Sequence, residues 1–498
     1  MVLLKNDDDL LPLASETRVA VVGDFAATPR YQGAGSSLIN PTRVTSALEA
    51  LEGRLQIAGV AQGFRRNAPH DPELVDEAVR VARDADVVLL HIGLDELSES
   101  EGRDREHLRL PESQLLLIEA LALVGTPVVA VLSAGAPIQM PWLEDASAVV
   151  HGYLGGQAGA EGMADILLGA ANPSGRLAET YLKRLSDSPT AGAVPSHERD
   201  AVYHEGVFVG YRYTTTAGVP VLFPFGFGLS YTSFTYSDLM IDADGVTFTL
   251  TNTGDREGAE VAQLYVAPPV GASGRPTREL KGFQKVELAP GESRTVTIPF
   301  DEYTFRTFDM TADAWAVPEG DYGIAVAASV EDLRLTGALR VGSTGERQSL
   351  TDEASAVVVG AMLEAEPRSL EFESLPAAAE PRRRVALSEN DPLLAMEGAR
   401  SPLARFAEKR LAGMLRKADA KGTPDLNLLF LTGMPFRAMG KMTGGAMSEE
   451  MVDSLVATVN GRHLAGLGGL VRGFFANRSR EKTLNRLYEQ QSSAGVKE

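Results

Sequence analysis

Val87-Val88-Leu89-Leu90-His91-Ile92 is an uninterrupted apolar run. It is followed by the charged loop Glu99-Ser100-Glu101-Gly102-Arg103-Asp104-Arg105-Glu106 and then by the helical periodicity of Pro111 to Leu123. Strand, loop and returning helix make one β-α unit, the repeating part of a parallel sheet. Working outward, the same alternation extends from residue 18 to about 170. Val19 to Val22, Gln56 to Val60, Val128 to Leu132 and Ala148 to His151 read as strands, and Thr45 to Leu51, Pro72 to Arg83 and Ala158 to Leu168 as helices. Pro72 and Pro111 suit a first helical turn, where no backbone donor is lost. Ligands of such sheets gather beyond the carboxyl ends of the strands, so the loops after Val22 and Ile92 are expected to face one crevice.

From about residue 235 the period changes to two. Val246-Thr247-Phe248-Thr249-Leu250, Val261 to Val266 and Arg294 to Ile298 alternate between Gly, Pro and Asn turns, which predicts an antiparallel β-sandwich ending near Val341. Residues 344–385 turn to Ala, Glu, Ser and Pro with Arg382-Arg383-Arg384, a linker with one helix. In the last hundred residues Ser448 to Val459 has the spacing and serine cap of a short amphipathic helix, and Gly466-Leu467-Gly468-Gly469-Leu470 is expected to break the pattern. Phe430, Met434, Phe436, Met439 and Met442 read as the core of a helical cap rather than as a partner-binding stripe. The expected fold is thus multidomain: an α/β domain with a mostly parallel sheet (1–232), a β-sandwich (233–343), a linker (344–385) and a mostly helical tail (386–498).

The 498 residues exceed what one core accommodates. A formal charge of −20 disfavours nucleic acid and anionic membrane, both of which need clustered Lys and Arg. With no cysteine there is no disulfide, thiolate metal site or cysteine nucleophile. Met1 to Leu13, interrupted by Asp7, Asp8 and Asp9, lacks the pattern of a secretory signal, and no apolar run is long enough to span a bilayer. A cytoplasmic protein is expected. Val2-Leu3-Leu4-Lys5-Asn6 reads like a domain junction.

The charged loop is where acid–base chemistry is expected, because a carboxyl beside fixed guanidinium groups and partly shielded from water has its pKa set by its neighbours. The loop after the first strand, Gly23 to Ser37, contains Gly33-Ala34-Gly35 but neither the dinucleotide fingerprint nor a Walker lysine. Arg30, Tyr31, Gln32 and Ser36 instead offer donors and a ring suited to a hydroxyl-rich ligand. His91 and His151 end buried strands and read as satisfied core histidines. No H-E-x-x-H spacing and no Gly-x-Ser-x-Gly elbow occurs, so no metal or other cofactor and no serine nucleophile is expected.

These loops, with Leu110-Pro111, Ser133-Ala134-Gly135-Ala136-Pro137, Tyr153-Leu154-Gly155-Gly156-Gln157, Asn172-Pro173-Ser174-Gly175-Arg176-Leu177, Tyr203-His204-Glu205-Gly206 and Phe223-Pro224-Phe225-Gly226-Phe227-Gly228, resemble glycoside hydrolase family 3. The sandwich, with Asn252-Thr253-Gly254 and Lys281-Gly282-Phe283, is similar to that family's fibronectin type III-like domain. The resemblance covers residues 1–343, and the tail is similar to extensions found in some members. It implies a β-glucosidase-like retaining enzyme acting on a carbohydrate substrate, in which a TIM barrel precedes the α/β domain and supplies an aspartate nucleophile in a Ser-Asp-Trp type segment. This sequence has no such segment, so the nucleophile is expected from a barrel upstream or on a separate chain. The general acid/base implied for this domain is Glu101, with Glu99 as alternative, supported by Arg103, Asp104 and Arg105.

Two carboxyl groups about 5–5.5 Å apart, one ionised and one protonated, are what a retaining glycosidase requires. Glu99 and Glu101 on one loop would share a single environment and do not meet that need. The competing class is a non-catalytic carbohydrate-binding or structural protein of the same descent.

Overall fold

The computed structural model describes residues 1–34, 37–101, 105, 107–191, 203–272, 274–343, 345–370, 386–419, 425–442 and 447–494. Its first part alternates strand and helix: β1 (Val2–Asn6), β2 (Arg18–Val22), α1 (Asp24–Ala27), α2 (Ala47–Leu51), β3 (Gln56–Ala61), α3 (Pro72–Arg83), β4 (Val87–Gly93), α4 (Glu112–Ala122), β5 (Val128–Ser133), β6 (Ala148–His151) and α5 (Gly159–Leu167). The sheet order is β1-β6-β5-β4-β2-β3. All neighbours run parallel except β1, which is antiparallel to β6 with Val2 opposite His151 and Leu3 opposite Val150. The segment that reads as a domain junction is therefore an edge strand, a common antiparallel addition to a parallel sheet.

The inner strands β2, β4, β5 and β6 are buried on both faces, which is why they are largely apolar, while the edge strand β3 is mostly exposed. Val19, Val21, Leu89, Val129 and Val131 pack toward Ala50, Leu51, Met163 and Leu167. Ala20, Val22, Leu90, Ile92 and Leu132 pack toward Ala78, Ala82, Leu117 and Leu121. Local signals fix the helix starts. Ser46 and Glu49 cap α2 reciprocally, with Glu49 N donating to Ser46 Oγ at 3.2 Å and Ser46 N to Glu49 Oε2 at 2.7 Å. Asp71 accepts from Glu73 N ahead of Pro72 at the start of α3.

After β7 (Tyr181–Leu182), α6 (Tyr211–Ala217) and β8 (Val221–Phe223) comes the sandwich. Its strands are β9 (Phe234–Ile241), β10 (Gly245–Asn252), β11 (Gly258–Ala267), β12 (Glu279–Leu288), β13 (Ser293–Pro299), the short hairpin β14 (Thr307–Asp309) and β15 (Ala314–Ala316), then β16 (Gly320–Ala327), β17 (Leu333–Val341) and β18 (Arg347–Ser349). A sheet ordered β13-β10-β9 faces one ordered β12-β11-β16-β17-β18 across Phe248, Leu250, Leu264, Ile324, Val326 and Leu339. Part of the segment that reads as a linker belongs here. β18 pairs with β17, and α7 (Asp352–Leu363) seats Met362 against Tyr265 and Ala325. The α/β domain and sandwich meet at a nearly buried ion pair, in which Arg176 Nη2 donates to both carboxylate oxygens of Glu260 at 2.9 Å.

The tail is helical: α8 (Pro402–Asp419), α9 (Leu426–Gly433), α10 (Ala438–Met442), α11 (Glu449–Val459) and α12 (His463–Ala494). Phe436, Met396, Val452 and Val459 form its core. Of the expected Met/Phe stripe, Met434 and Phe436 are buried while Met442 is exposed. Ser448 caps α11 by accepting from Met451 N. The glycine run, expected to break the helix, lies inside α12. A Cβ at Gly466 would stand 2.0 Å from Thr458 Oγ1, and one at Gly469 2.2 Å from Ser454 Oγ. These glycines let α12 lie directly on α11, and that packing outweighs a helix-propensity cost of about 1 kcal/mol per glycine. Leu415, Leu428 and Leu429 of α8 and α9 pack against Leu97, in the loop that follows β4. Among the described residues no helix is long and apolar enough to cross a membrane.

Candidate active site

β2 and β4 are parallel neighbours, so the loops leaving them emerge from the same sheet edge. At Gly23 the chain turns with φ +116°, and a Cβ there would lie 2.1 Å from His91 O, so only glycine fits. The chain then passes through α1 to Arg30, whose side chain is 4% exposed as a residue and crosses to the second loop. Its Nε donates to Leu94 O and its Nη2 to Glu99 O, each at 3.2 Å, and it stands 3.9 Å from the carboxylates of Glu96 and Glu99. The two loops singled out in the sequence thus meet in one crevice.

The second loop is tightly built as far as residue 99. Buried Asp95 accepts from Ser98 N at 2.8 Å and from Asn67 N at 3.3 Å, while Glu99 N donates to Asp95 O at 3.0 Å. Gln114, wholly buried, exchanges two 2.9 Å bonds with the backbone of Gly93. Arg66 bridges Glu96 at 3.1 Å and Asp24 at 2.6 Å. Glu99 Oε2 accepts from Gly135 N at 3.0 Å, in space left by the missing side chain: a Cβ at Gly135 would lie 2.7 Å from Glu99 Oε1. Two residues further on, Glu101 is exposed at the turn.

Several expected site residues are therefore brought together. Arg105 donates from Nη1 to Pro137 O at 2.9 Å. Burial lowers its guanidinium pKa, and the charge of Glu99 opposes that shift. The Tyr31 hydroxyl accepts from Gln32 Nε2 at 3.0 Å, and the Gln32 amide bonds the Ile39 backbone in both directions. Ser36, Arg103 and Asp104 lie outside the described residues.

Under the loop lies a group of which sequence reading missed Glu179 and Tyr181. The His151 ring packs tilted against Tyr153 at 3.9 Å and meets Tyr181 edge-on at 5.9 Å. Burial first, and then the nearby charge of Glu99, raises the pKa of Glu179, while burial raises those of Tyr153 and Tyr181. His91 and His151 are not the satisfied core histidines expected. His91 Nε2 and both nitrogens of His151 are buried without a hydrogen-bond partner among the described residues, and burial brings both imidazoles down to about 4. The spacing Asp95-x-x-Ser98 and a lone Gln114 on an apolar helix face are local signs that could have marked the loop's supports. Nothing local marks Gly135 or Tyr181, whose roles depend on other strands.

Between the loop after β2 and the segment that follows β6 lies a cavity of about 60 Å³ lined by Arg30, Tyr31, Thr45, His91, Ser133 and Tyr153. Small-molecule sites enclose roughly 300–1,000 Å³, so this space suits water rather than a sugar ring. Among the described residues no three His, Asp or Glu side chains are grouped to hold a metal ion. The arrangement offers a fixed, charge-rich loop base ending at Glu99 and, two residues on, an exposed Glu101.

Residues 1–231 match the glycosyl hydrolase family 3 C-terminal domain, and residues 260–330 match a fibronectin type III-like domain. Thermostable beta-glucosidase B of Acetivibrio thermocellus is 36% identical over 483 residues, covering 92% of this chain and 58% of that protein. An exo-alpha-(1->6)-L-arabinopyranosidase of Bifidobacterium breve is 43% identical over 368 residues, 71% of this chain and 49% of its own length. The crystal structure of a GH3 beta-glucosidase from Bifidobacterium adolescentis aligns with a TM-score of 0.67 at 41% identity, over 73% of this chain and 56% of that one. The chain spans about half the length of the relatives it matches. It joins the C-terminal domain of glycosyl hydrolase family 3 to a fibronectin type III-like domain, and it belongs to that family.

Proposed function

We propose that this chain supplies the general acid/base, Glu101, for retaining hydrolysis of terminal β-linked sugars, with the nucleophile coming from a barrel domain outside these residues, upstream or on a separate chain. The observation that carries this reading is the contrast within one loop. Glu99 is anchored by Gly135 N and beside Arg30, whereas Glu101, two residues past the anchor, is exposed. An acid that must reach a sugar held by another domain needs that placement. The enclosing walls, absent around the small cavity described here, would come from the same domain. Arg30 acts through the loop it holds. In this reading Tyr31, Gln32 and Ser36 take part in substrate binding, and Arg103, Asp104 and Arg105 support the acid/base. A cytoplasmic location is part of the same reading and is tested by cell fractionation.

Docking confers catalysis because general acid–base assistance is worth about 10²–10⁴-fold and needs the reacting oxygen within hydrogen-bond reach. Before departure of the leaving group, Glu101 donates its proton to the glycosidic oxygen; afterwards it takes one from water. The test supplies a family barrel domain in trans and follows aryl β-glucoside hydrolysis. Glu101→Gln should sharply lower kcat/KM for substrates with poor leaving groups and spare kcat/KM for activated aryl glycosides, whose departure needs little protonation, while kcat falls on both because the base for the second step is gone. Equal loss of kcat/KM on both substrates removes Glu101 from the role. Sugar binding measured by calorimetry, with no turnover even after the barrel is folded and docked, supports the non-catalytic alternative.

A further inference from the structure

The β14–β15 hairpin of the sandwich carries a row of aromatic side chains on its outer surface. Phe308 and Trp315 are cross-strand partners whose rings meet edge-on at 5.5 Å. The Arg306 guanidinium lies 4.5 Å from the Trp315 ring centroid and 3.9 Å from that of Tyr303, so it is held between two rings. Trp315 is 60% exposed, and Tyr303, Phe308 and Met310 are also open to solvent. In the sandwich core the buried rings of Phe300, Phe305 and Tyr322 meet edge to face at 5.1 Å.

Clustered exposed rings are unusual on a soluble surface and mark contact sites. Their chemistry limits the occupant. The positive charge of Arg306 is spent on two ring faces, and the surroundings, Asp301, Glu302, Asp309 and Asp313, are acidic on a chain of net charge −20. Polyanions, nucleic acid and anionic lipid are repelled. Preset aromatic faces ringed by carboxylates match a neutral ligand with a C–H face and hydroxyl edges, and they bind it at little conformational cost.

We propose that Tyr303, Arg306, Phe308 and Trp315 form a binding platform for a neutral β-linked oligosaccharide, separate from the crevice that contains Glu101. Equatorially substituted pyranoses present flat C–H faces to such rings. The platform would hold a glycan chain on the sandwich whether or not the crevice is catalytically complete.

The chain contains a built-in reporter, since only two tryptophans occur: Trp315 is 60% exposed and Trp142 only 4%. Acrylamide quenching of the full chain should show one accessible and one protected tryptophan, and cellohexaose should saturably protect the accessible one. Phe308→Ala retains the reporter and should weaken half-saturation about fivefold. Trp315→Ala should lose retardation in a gel containing neutral β-glucan while keeping the wild-type thermal transition. Three results would overturn the proposal: no protection at the solubility limit of cellohexaose, wild-type retardation of Trp315→Ala, or protection that follows protein concentration without sugar, which would identify a second copy as the occupant. Because Glu101→Gln leaves the hairpin intact, binding that survives in that variant separates this result from the fate of the crevice reading.

Discussion

Acidification should destabilise this protein through two imidazoles buried in the fold. His91 and His151 titrate near 4 in the folded chain because burial penalises the charged ring, whereas in the unfolded chain they titrate near 6.5. Above about pH 6.5 neither state binds the proton, and the folded state keeps its full advantage. As pH falls below that value the unfolded chain takes up protons that the folded chain refuses, so stability is lost until the folded imidazoles titrate near 4. Each histidine contributes a slope of about 1.4 kcal/mol per pH unit in this window, so going from about pH 7 to about pH 5 costs about 2 kcal/mol per ring and about 4 for both. Urea unfolding at closely spaced pH values measures the slope directly. His151→Phe retains a ring against Tyr153 and Tyr181 and should cut the slope in the upper part of the window by half, leaving the carboxylate contribution at lower pH unchanged. An identical slope in wild type and variant would refute the argument, because it would mean that His151 finds a proton partner in the folded state.

Other expectations are more local. Arg176→Met leaves the nearly buried Glu260 carboxylate unpaired and should cost about 3–5 kcal/mol in denaturant unfolding, while the double change with Glu260→Met recovers most of it. Within one glycine run, Gly468→Ala, whose Cβ meets nothing within 4 Å, should raise stability by up to about 1 kcal/mol. Gly466→Ala should lower it by about 1–3 kcal/mol, since its Cβ meets Thr458. Gly135→Ala should break the bond to Glu99, at a cost of about 1.5–3 kcal/mol, and hydrogen exchange should show faster opening of residues 95–101.

The α/β sheet was legible in the sequence because burial on both faces leaves its inner strands largely apolar. Val87 to Ile92 needed no context, and Pro72 marked where its helix begins, whereas the Ser46 cap was not read and the first helix was expected from Thr45. β1 was not legible, because five residues beginning Val-Leu-Leu identify no partner and its pairing with β6 spans almost 150 positions. The glycines at 466 and 469 misled for a related reason: propensity counts what a residue does to its own helix, and the compensation here lies in Ser454 and Thr458 on another. In the crevice, the two loops were marked by composition, but their division of labour was not. Arg30 reads as a ligand donor until it is seen buried under Leu94 and Glu99. Glu99 is supported by Gly135, which follows the neighbouring strand β5 and lies 36 residues away in the chain.

Leu97 carries a consequence for anyone recombining this protein with its relatives. The side chain lies in the loop after β4 but rests on Leu415, Leu428 and Leu429 of the terminal helices. A chimera cut at the end of the sandwich would uncover three leucines on one fragment and strip the loop's outer support from the other. Crossover points that transfer the first domain together with α8 and α9 keep this apolar seam closed.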